Sequence, residues 1–576
     1  MSRKVFTDQA SKEILAIYKS LETPSLRSLE KAGVTRGMIR QSFGTLTELR
    51  DVAGDAPADP KAATLDAYLS LVDANGGQSP TLAEISRIAG RVYKYFDTRE
   101  NIDKVARKQA PARFTDVVVT DIKIVNPKKK TIIITSSVLG APVHMGACTA
   151  FRRMADREKA DILSPVCVDS ASRASPGGVG RVDKAIIDLG FNVVQGRDVR
   201  LNDNLSVLGI EVSAKQLVPI TGLDRYGQRG QSIVIAAPKQ FLKYVPTMSS
   251  LPHAIMTTGA CTAPFYDTDR QHSKRTAYQA TQDHQLAGVI VEIEDDKIFH
   301  FRQLRYSEDL DNIVDLGFTD SGTEYKPQAI QLGDWHSGAT AFPNYKFAMA
   351  NPFGADQVFL HDAFDGHSIN PHEEQNDPLN YMNSSELLQV ELDGLCKDIS
   401  LFLENYKEVF IVESNHDQWL DAWVRSGRYR KDRTNFHVGR RLEDLLFRYP
   451  GQSALNAYLS HEFLRFSDRL KLIGPNDDYR IGGVAMNHHG HVGPNGIRKP
   501  SPKVFESSVG ETALGHLHTP MIWRDVTVAG TSTEFRQGYN KGPSSWMWTH
   551  TLVYPCGRRQ LYNLIPGSNQ EWVKDE

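Results

Sequence analysis

From residue 328 onward, five short apolar runs follow one another, and each stops on a side chain that can ligate a metal ion. The first, "AIQLGDWHSG", ends in Asp334 and His336. The second, "DQVFLHDAFD", ends in Asp362, with Asp365 just beyond. The third, "EVFIVESNHD", delivers Asn415, His416 and Asp417. "GGVAMNHHGHVG" brings His488, His489 and His491, and "ETALGHLHTP" brings His516 and His518. In an extended chain residues i and i+2 point to one face, so Asp334 with His336, and His516 with His518, can each reach a common ion. In an open α/β sheet the carboxyl ends of the strands gather at one edge, where ligands bind. The order therefore predicts an α/β fold with a single polar site.

Taken as "GDWH", "HDAFD", "SNHD", "HHG" and "GHLH", these segments resemble the five motifs of the calcineurin-like metallophosphoesterases: D-x-H, GD-x-x-D, GNH-D/E, a His before Gly, and GH-x-H. The resemblance covers about residues 328 to 530. It implies a four-layer α/β/β/α sandwich over 326–576 and a site for two divalent metal ions. Asp334, His336 and His518 would hold the first ion, and Asn415, His489 and His516 the second. Asp362 would bridge them. His416 would meet the phosphate, as general acid or charge stabiliser, oriented by Asp417. His488 is the alternative to His489, and the Gly490 that follows favours His489. Two positions depart from the pattern: His361 and Ser414 stand where the family has glycines, which commonly serve tight turns. An O and N donor set without Cys favours Mn²⁺, with Zn²⁺, Fe and Ni²⁺ admissible.

The surroundings bear on the substrate. Residues 418–441 hold seven Arg/Lys and two Asp, interleaved with Trp419, Trp423, Tyr429 and Phe436. Just after His416, such a stretch can follow a phosphate backbone and stack on bases; Arg425, Arg428, Arg430 and Lys431 are the expected contacts. The bland alternative is a solvated helix face. The Gly/Pro-rich loop "GHVGPNGIRKPSP" adds Arg498 and Lys499.

The first 113 residues read as short helices containing an internal repeat, 23–53 and 79–106. Each copy opens with Ser/Thr-Pro and a Leu (Leu26, Leu82), breaks at Gly33 or Gly90, and closes a second helix on Phe43 or Phe96. Helix, short turn, helix is a helix-turn-helix pattern. The first copy resembles a small DNA-binding repeat often attached to homing endonucleases. Phe43, Leu49 and Val52 are expected in its core, 54–66 is the expected linker, and Arg36, Arg40 and Lys94 are candidate phosphate contacts. With 18 basic against 14 acidic side chains, the region also suits plain helical packing.

Residues 114–325 alternate strands and helices and read as a separate α/β domain. "VHMGACTAF" parallels "WHSGATAF", which pairs His144 with His336 but leaves Pro142 where Asp334 stands. A degenerate, metal-free copy of the following domain and chance similarity are both open.

The net charge of -2 excludes a generally basic coat, and five scattered Cys without CxxC spacing give no disulfide frame or zinc knuckle. No signal-like or spanning apolar run occurs, so a reducing cytoplasm is expected. The sum points to a metal-dependent DNA nuclease of the SbcD-like repair-exonuclease branch. Its layout also resembles the large pre-early DNA-degrading proteins of T5-type bacteriophages, which implies destruction of host DNA early in infection. A homo-oligomer is admissible, since such nucleases often pair. The alternatives are a phosphatase or phosphodiesterase on a small phosphoester, and a DNA-bound regulator with a vestigial site.

Overall fold

The computed structural model describes residues 9–21, 26–43, 46–53, 60–77, 79–80, 84–97, 99–110, 113–114, 117–118, 127–168, 181–227, 230–248, 251–266, 274–371, 387–537 and 540–573. The chain forms two compact units, Met1–Thr115 and Asp116–Glu576. Among the described residues no helix is long and apolar enough to cross a membrane.

The first unit is helical: α1 (Gln9–Ser20), α2 (Leu26–Lys31), α3 (Arg36–Phe43), α4 (Leu46–Ala53), α5 (Pro60–Ala74), α6 (Ala89–Phe96) and α7 (Arg99–Gln109). Ile39, Phe43 and Leu49 are buried in one cluster, and Val92, Phe96 and Ile102 recur at the same spacing in another. The copies differ before that point. Gly33 adopts φ +85° in the turn after α2, whereas Gly90 lies inside α6, and 84–88 are turns rather than a helix. Leu82 lies outside the described residues. Two further expectations are corrected. Val52 is 44% exposed, because it falls on the outer face of α4, and much of the expected linker is the start of α5, where Pro60 suits a first helical position.

The second unit holds three large sheets. Among its strands are β1 (Thr131–Ile134), β2 (Asp161–Cys167), β3 (Asn192–Val194), β4 (Val199–Arg200), β5 (Leu205–Leu208), β6 (Ser232–Ile235), β7 (Phe241–Val245), β8 (His253–Thr257), β9 (Ala287–Ile293) and β10 (Phe299–Ser307). They continue with β11 (Ala329–Gln331), β12 (Gln357–His361), β13 (Glu408–Val412), β14 (Leu470–Ile473), β15 (Arg480–Ile481), β16 (Val484–Ala485), β17 (Thr512–Leu514), β18 (Met521–Trp523), β19 (Val526–Val528), β20 (Thr549–Val553) and β21 (Arg559–Asn563). The principal helices are α8 (Met145–Arg157), α9 (Phe342–Ala350), α10 (Leu388–Asn405), α11 (Asn415–Arg425), α12 (Phe436–Arg448), α13 (Ala454–Glu462) and α14 (Pro502–Ser508).

One six-stranded sheet runs β14-β13-β12-β11-β20-β21. Alternate side chains of a strand face opposite sides. Phe359, Phe410 and Val553 therefore pack inward against Val484, Met486 and Ala513 of the neighbouring sheet, while Val358, Leu360 and Ile411 lie under Phe347, Leu395, Phe402 and Leu420 of the helices. Phe505 of α14 covers Leu514, Val526 and Val528 on the far face. The layers are helix, sheet, sheet, helix.

The expected boundary near 325 does not separate two bodies. The ten-stranded sheet runs β15-β16-β17-β19-β18-β7-β8-β6-β5-β4, so strands from both sides of that boundary share it. Its order reads alike from either end. β4, β5, β6, β7 and β8 take the places of β15, β16, β17, β18 and β19, and the centre is the antiparallel pair β7 and β18, with Leu242 opposite Ile522. Every pairing sense matches: β5–β6, β6–β8, β16–β17 and β17–β19 are parallel, and β4–β5, β7–β8, β15–β16 and β18–β19 antiparallel. In the eight-stranded sheet β3-β2-β1-β9-β10 follow one another as β13-β12-β11-β20-β21 do in the six-stranded one, again with equal pairing senses. The unit is thus built from two halves of one topology, joined through a core that mixes Leu242, Val289 and Met256 with Ile522 and Leu561.

Candidate metal centre

All the strand ends singled out in the sequence converge. Asp334 and His336 follow β11, Asp362 follows β12, Asn415 and His416 open α11 after β13, His489 follows β16, and His516 and His518 follow β17. Four sets of ligand atoms each lie within 4.8 Å of one another: Asp334, Asp362 and His518; Asp362, His489 and His516; His336, Asp362 and His416; Asp334, His361 and His489. Asp362 belongs to three of them. His488 is in none, and its ring packs on Phe505 at 5.6 Å instead.

The backbone is bent to aim these groups. His336, Asp362, His516 and His518 have φ of 48°, 43°, 72° and 56°, a region that costs a non-glycine residue of order 1–3 kcal/mol and is concentrated at functional sites. A Cβ on Gly515 would lie 2.4 Å from Asp334 Oδ1, so this glycine lets the fifth motif close on the first. The two missing family glycines have a physical explanation. His361 ends β12 without positive φ, and Ser414 is extended (φ -123°, ψ 175°) and caps α11.

His489 Nε2 stands 3.3 Å from Asp362 Oδ2 and 3.3 Å from Asn415 Oδ1. His518 Nε2 stands 3.2 Å from Asp334 Oδ2, and the Nε2 atoms of His336 and His518 are 3.3 Å apart. Asp334 Oδ2 and Asp362 Oδ1 are buried without a hydrogen-bond partner. Buried carboxylate oxygens without a hydrogen bond are costly, and imidazole nitrogens that face each other at this distance share either a proton or a cation. The residues fit divalent ions with O and N ligands. Crowding has the expected effect: burial, then Asp362, push the Asp334 carboxyl up to about 7. Burial lowers His336, but its bond to Asp365 and the nearby carboxylates carry it to about 9.

The orientation of His416 differs from expectation. Asp417 does not reach it; its carboxylate accepts from Ser414 N at 2.9 Å, completing a capping box on α11. The His416 Nδ1 donates instead to the main-chain oxygen of Asp365, and Trp419 packs over its ring at 4.0 Å between centroids. The physical reason is helix geometry: an N3 acid turns back to the cap. Sequence reasoning assigned no role to His361 or His491, which also stand at the centre. His361 Nδ1 lies 3.3 Å from His489 Nδ1. His491 is buried beside His489 and His516, with neither ring nitrogen hydrogen-bonded. Their signal was present in "HDAFD" and "HHGHVG", as histidines within two residues of a ligand.

The expected nucleic-acid contacts divide. Arg498 and Lys499 are exposed and lie close enough to lower His491 and His516 electrostatically, after burial and His489. Lys431 is exposed, while Arg428 is half-buried. Arg425 is held by Asp421 at 2.8 Å and Arg430 by Glu443 at 2.9 Å. Trp423 and Tyr429 are buried in the core, so they are not stacking platforms for bases: α11 turns Trp423 inward, and Tyr429 packs against Gly439 of α12. Arg36 pairs with Glu30 at 3.4 Å, Lys94 lies over Tyr95, and the Arg40 side chain lies outside the described residues.

Fold and site define an α/β protein with a buried carboxylate–imidazole centre able to hold metal. Among known proteins, the chain is similar to Protein A1 of Escherichia phage T5, at 25% identity over 365 residues. That match covers 58% of this chain and 64% of the phage protein's length. No family model and no solved structure matches.

Proposed function

We propose that the protein is a metal-dependent phosphodiesterase that hydrolyses DNA with two divalent cations, Mn²⁺ foremost, and that it serves a bacteriophage by degrading host DNA in the bacterial cytoplasm. The observation that carries this reading is the buried cluster in which Asp334 and Asp362, each with one oxygen lacking a hydrogen bond, are ringed by Asn415 and the imidazoles of His336, His489, His516 and His518. The four-layer second half accords with the metallophosphoesterase resemblance, and the phage relative accords with the setting.

Bound ions there would neutralise phosphate oxygens and acidify a water. The protein's own part is positional. Asp365 holds the His336 proton on Nδ1 and so frees Nε2 for ligation. His416, whose Nδ1 proton is committed to the Asp365 carbonyl, presents Nε2 to the site. There it can donate to a phosphate oxygen or to the leaving oxygen. Burial lowers its pKa, which makes a protonated His416 a willing donor. Exposed Arg498 and Lys499 beside the centre offer phosphate contacts.

The test is incubation with linear and closed circular plasmid, with EDTA or added Mn²⁺, beside Asp362→Asn. Cleavage that needs both Mn²⁺ and Asp362 is expected, and attack on the circle would show endonuclease action. Hydrolysis of a small phosphodiester with both DNAs intact would overturn the DNA assignment and leave the metal centre standing.

A further inference from the structure

The matched topology of the two halves allows the metal centre to be traced position by position into the first half. Asp334 N donates to Gly530 O at 3.1 Å, and Ser532 N donates to Asp334 O at 2.9 Å. In the first half Ser136 N donates to Gly259 O at 3.1 Å, and Cys261 N donates to Ser136 O at 2.9 Å. Ser136 therefore stands where Asp334 does, and Val138, two residues on, where His336 does. Ala341 N and His144 N bond Ser532 O and Cys261 O in the same way, at 2.8 and 3.0 Å. His144 is thus the counterpart of Ala341, not of His336, and caps α8 with its ring.

The remaining ligands are gone as well. Ile134 pairs with Leu163 as Gln331 pairs with Phe359, which puts Val166 in the place of Asp362. Val194 pairs with Pro165 as Val412 pairs with His361, which puts Arg197 in the place of Asn415. The turn after β6, "AAPK" (236–239), replaces "GHLH" (515–518). That turn carries a fully buried Lys239, 3.3 Å from Asp283 and donating to Gln216 O at 3.0 Å. A site without its carboxylates has nothing to balance a divalent ion, and the turn that would carry two of its histidines carries a lysine with its own counter-ion instead.

We infer that residues 131–307 are a metal-free copy of the catalytic half, retained as its fixed partner across β7 and β18, so that each chain carries one two-ion centre. This rests on the metal-dependent reading above. It predicts a silent half in which Lys239 stands at the chain position of His518 and is paired with Asp283.

Native mass spectrometry of the full chain in Mn²⁺ counts ions directly, without reference to activity. At most two ions per chain are expected, all lost both in Asp334→Asn with Asp362→Asn and, by an independent route, in His489→Ala with His518→Ala. Lys239→Met should leave the count unchanged. Melting profiles in EDTA check that each variant is folded. Four ions on the wild-type chain, or ions persisting in both second-half variants, would overturn the silent-half inference while leaving a metalloprotein. A wild-type chain that binds no ion would overturn the metal-dependent reading and this inference together.

Discussion

His336 Nδ1 lies 2.8 Å from Asp365 Oδ1, an arrangement that keeps its proton there and turns Nε2 toward Asp362 and His518. Partners of this kind set the tautomer of a ligating histidine, and losing one typically weakens metal affinity about 10–100-fold. Asp365→Ala should do so in a Mn²⁺ titration. It should spare the orientation of His416, which uses the main-chain oxygen of Asp365. Unchanged affinity would remove Asp365 from the centre.

His416 and Asp417 are neighbours with separable effects. His416→Ala should lower the cleavage rate about 10²–10⁴-fold with metal binding retained. Asp417→Ala should act on the α11 cap, costing ~1 kcal/mol of stability, and read out in denaturant midpoint more than in rate. A fall in rate from Asp417→Ala equal to that of His416→Ala, at unchanged stability, would restore Asp417 as the orienting group.

Charge already committed inside the protein should contribute little to DNA binding. Lys499→Ser and Arg498→Ser are expected to weaken binding and to reduce the slope of log K against log salt by about 1 per lost phosphate contact. Arg425→Ser and Arg430→Ser, tied to Asp421 and Glu443, should leave that slope nearly unchanged. The reverse pattern would move the DNA path to residues 418–441.

His550 accepts from Gly333 N at 3.1 Å and stacks on Phe347 at 4.7 Å; burial pushes its pKa from 6.5 down to about 3. The unfolded chain therefore takes up this proton first as pH falls. Its contribution to stability is complete above pH 6.5 and is lost between there and about pH 3, at up to ~1.4 kcal/mol per pH unit. Urea midpoints followed over that range should fall more steeply for the wild type than for His550→Gln. Parallel curves would show that His550 is not held neutral.

The candidate donors that the fold brings together were legible because each motif is local: a strand, then one to three polar residues at its end. The same holds for Phe43 and Phe96, whose spacing to the next buried residue survives in both repeats. Residues whose role depends on how a helix is capped or turned against the core were misjudged. Val52 follows helical periodicity yet faces outward, Trp423 and Tyr429 sit in a basic stretch yet are buried, and Asp417 adjoins His416 yet bonds Ser414.

By itself the sequence determined the α/β character of residues 326–576, the order of the strand-end motifs and the oxygen and nitrogen chemistry of the donors, since these follow from residue type and short spacing. Tertiary structure alone decided which histidine is aimed by which oxygen, which arginines are already paired, and that the preceding region repeats the topology of the half that carries the candidate metal centre. The duplication escaped notice because sheet pairing is set by backbone hydrogen bonds between distant segments. Those bonds survive when Asp334 and Asp362 are replaced by Ser136 and Val166, the substitutions that erase the motif from the sequence.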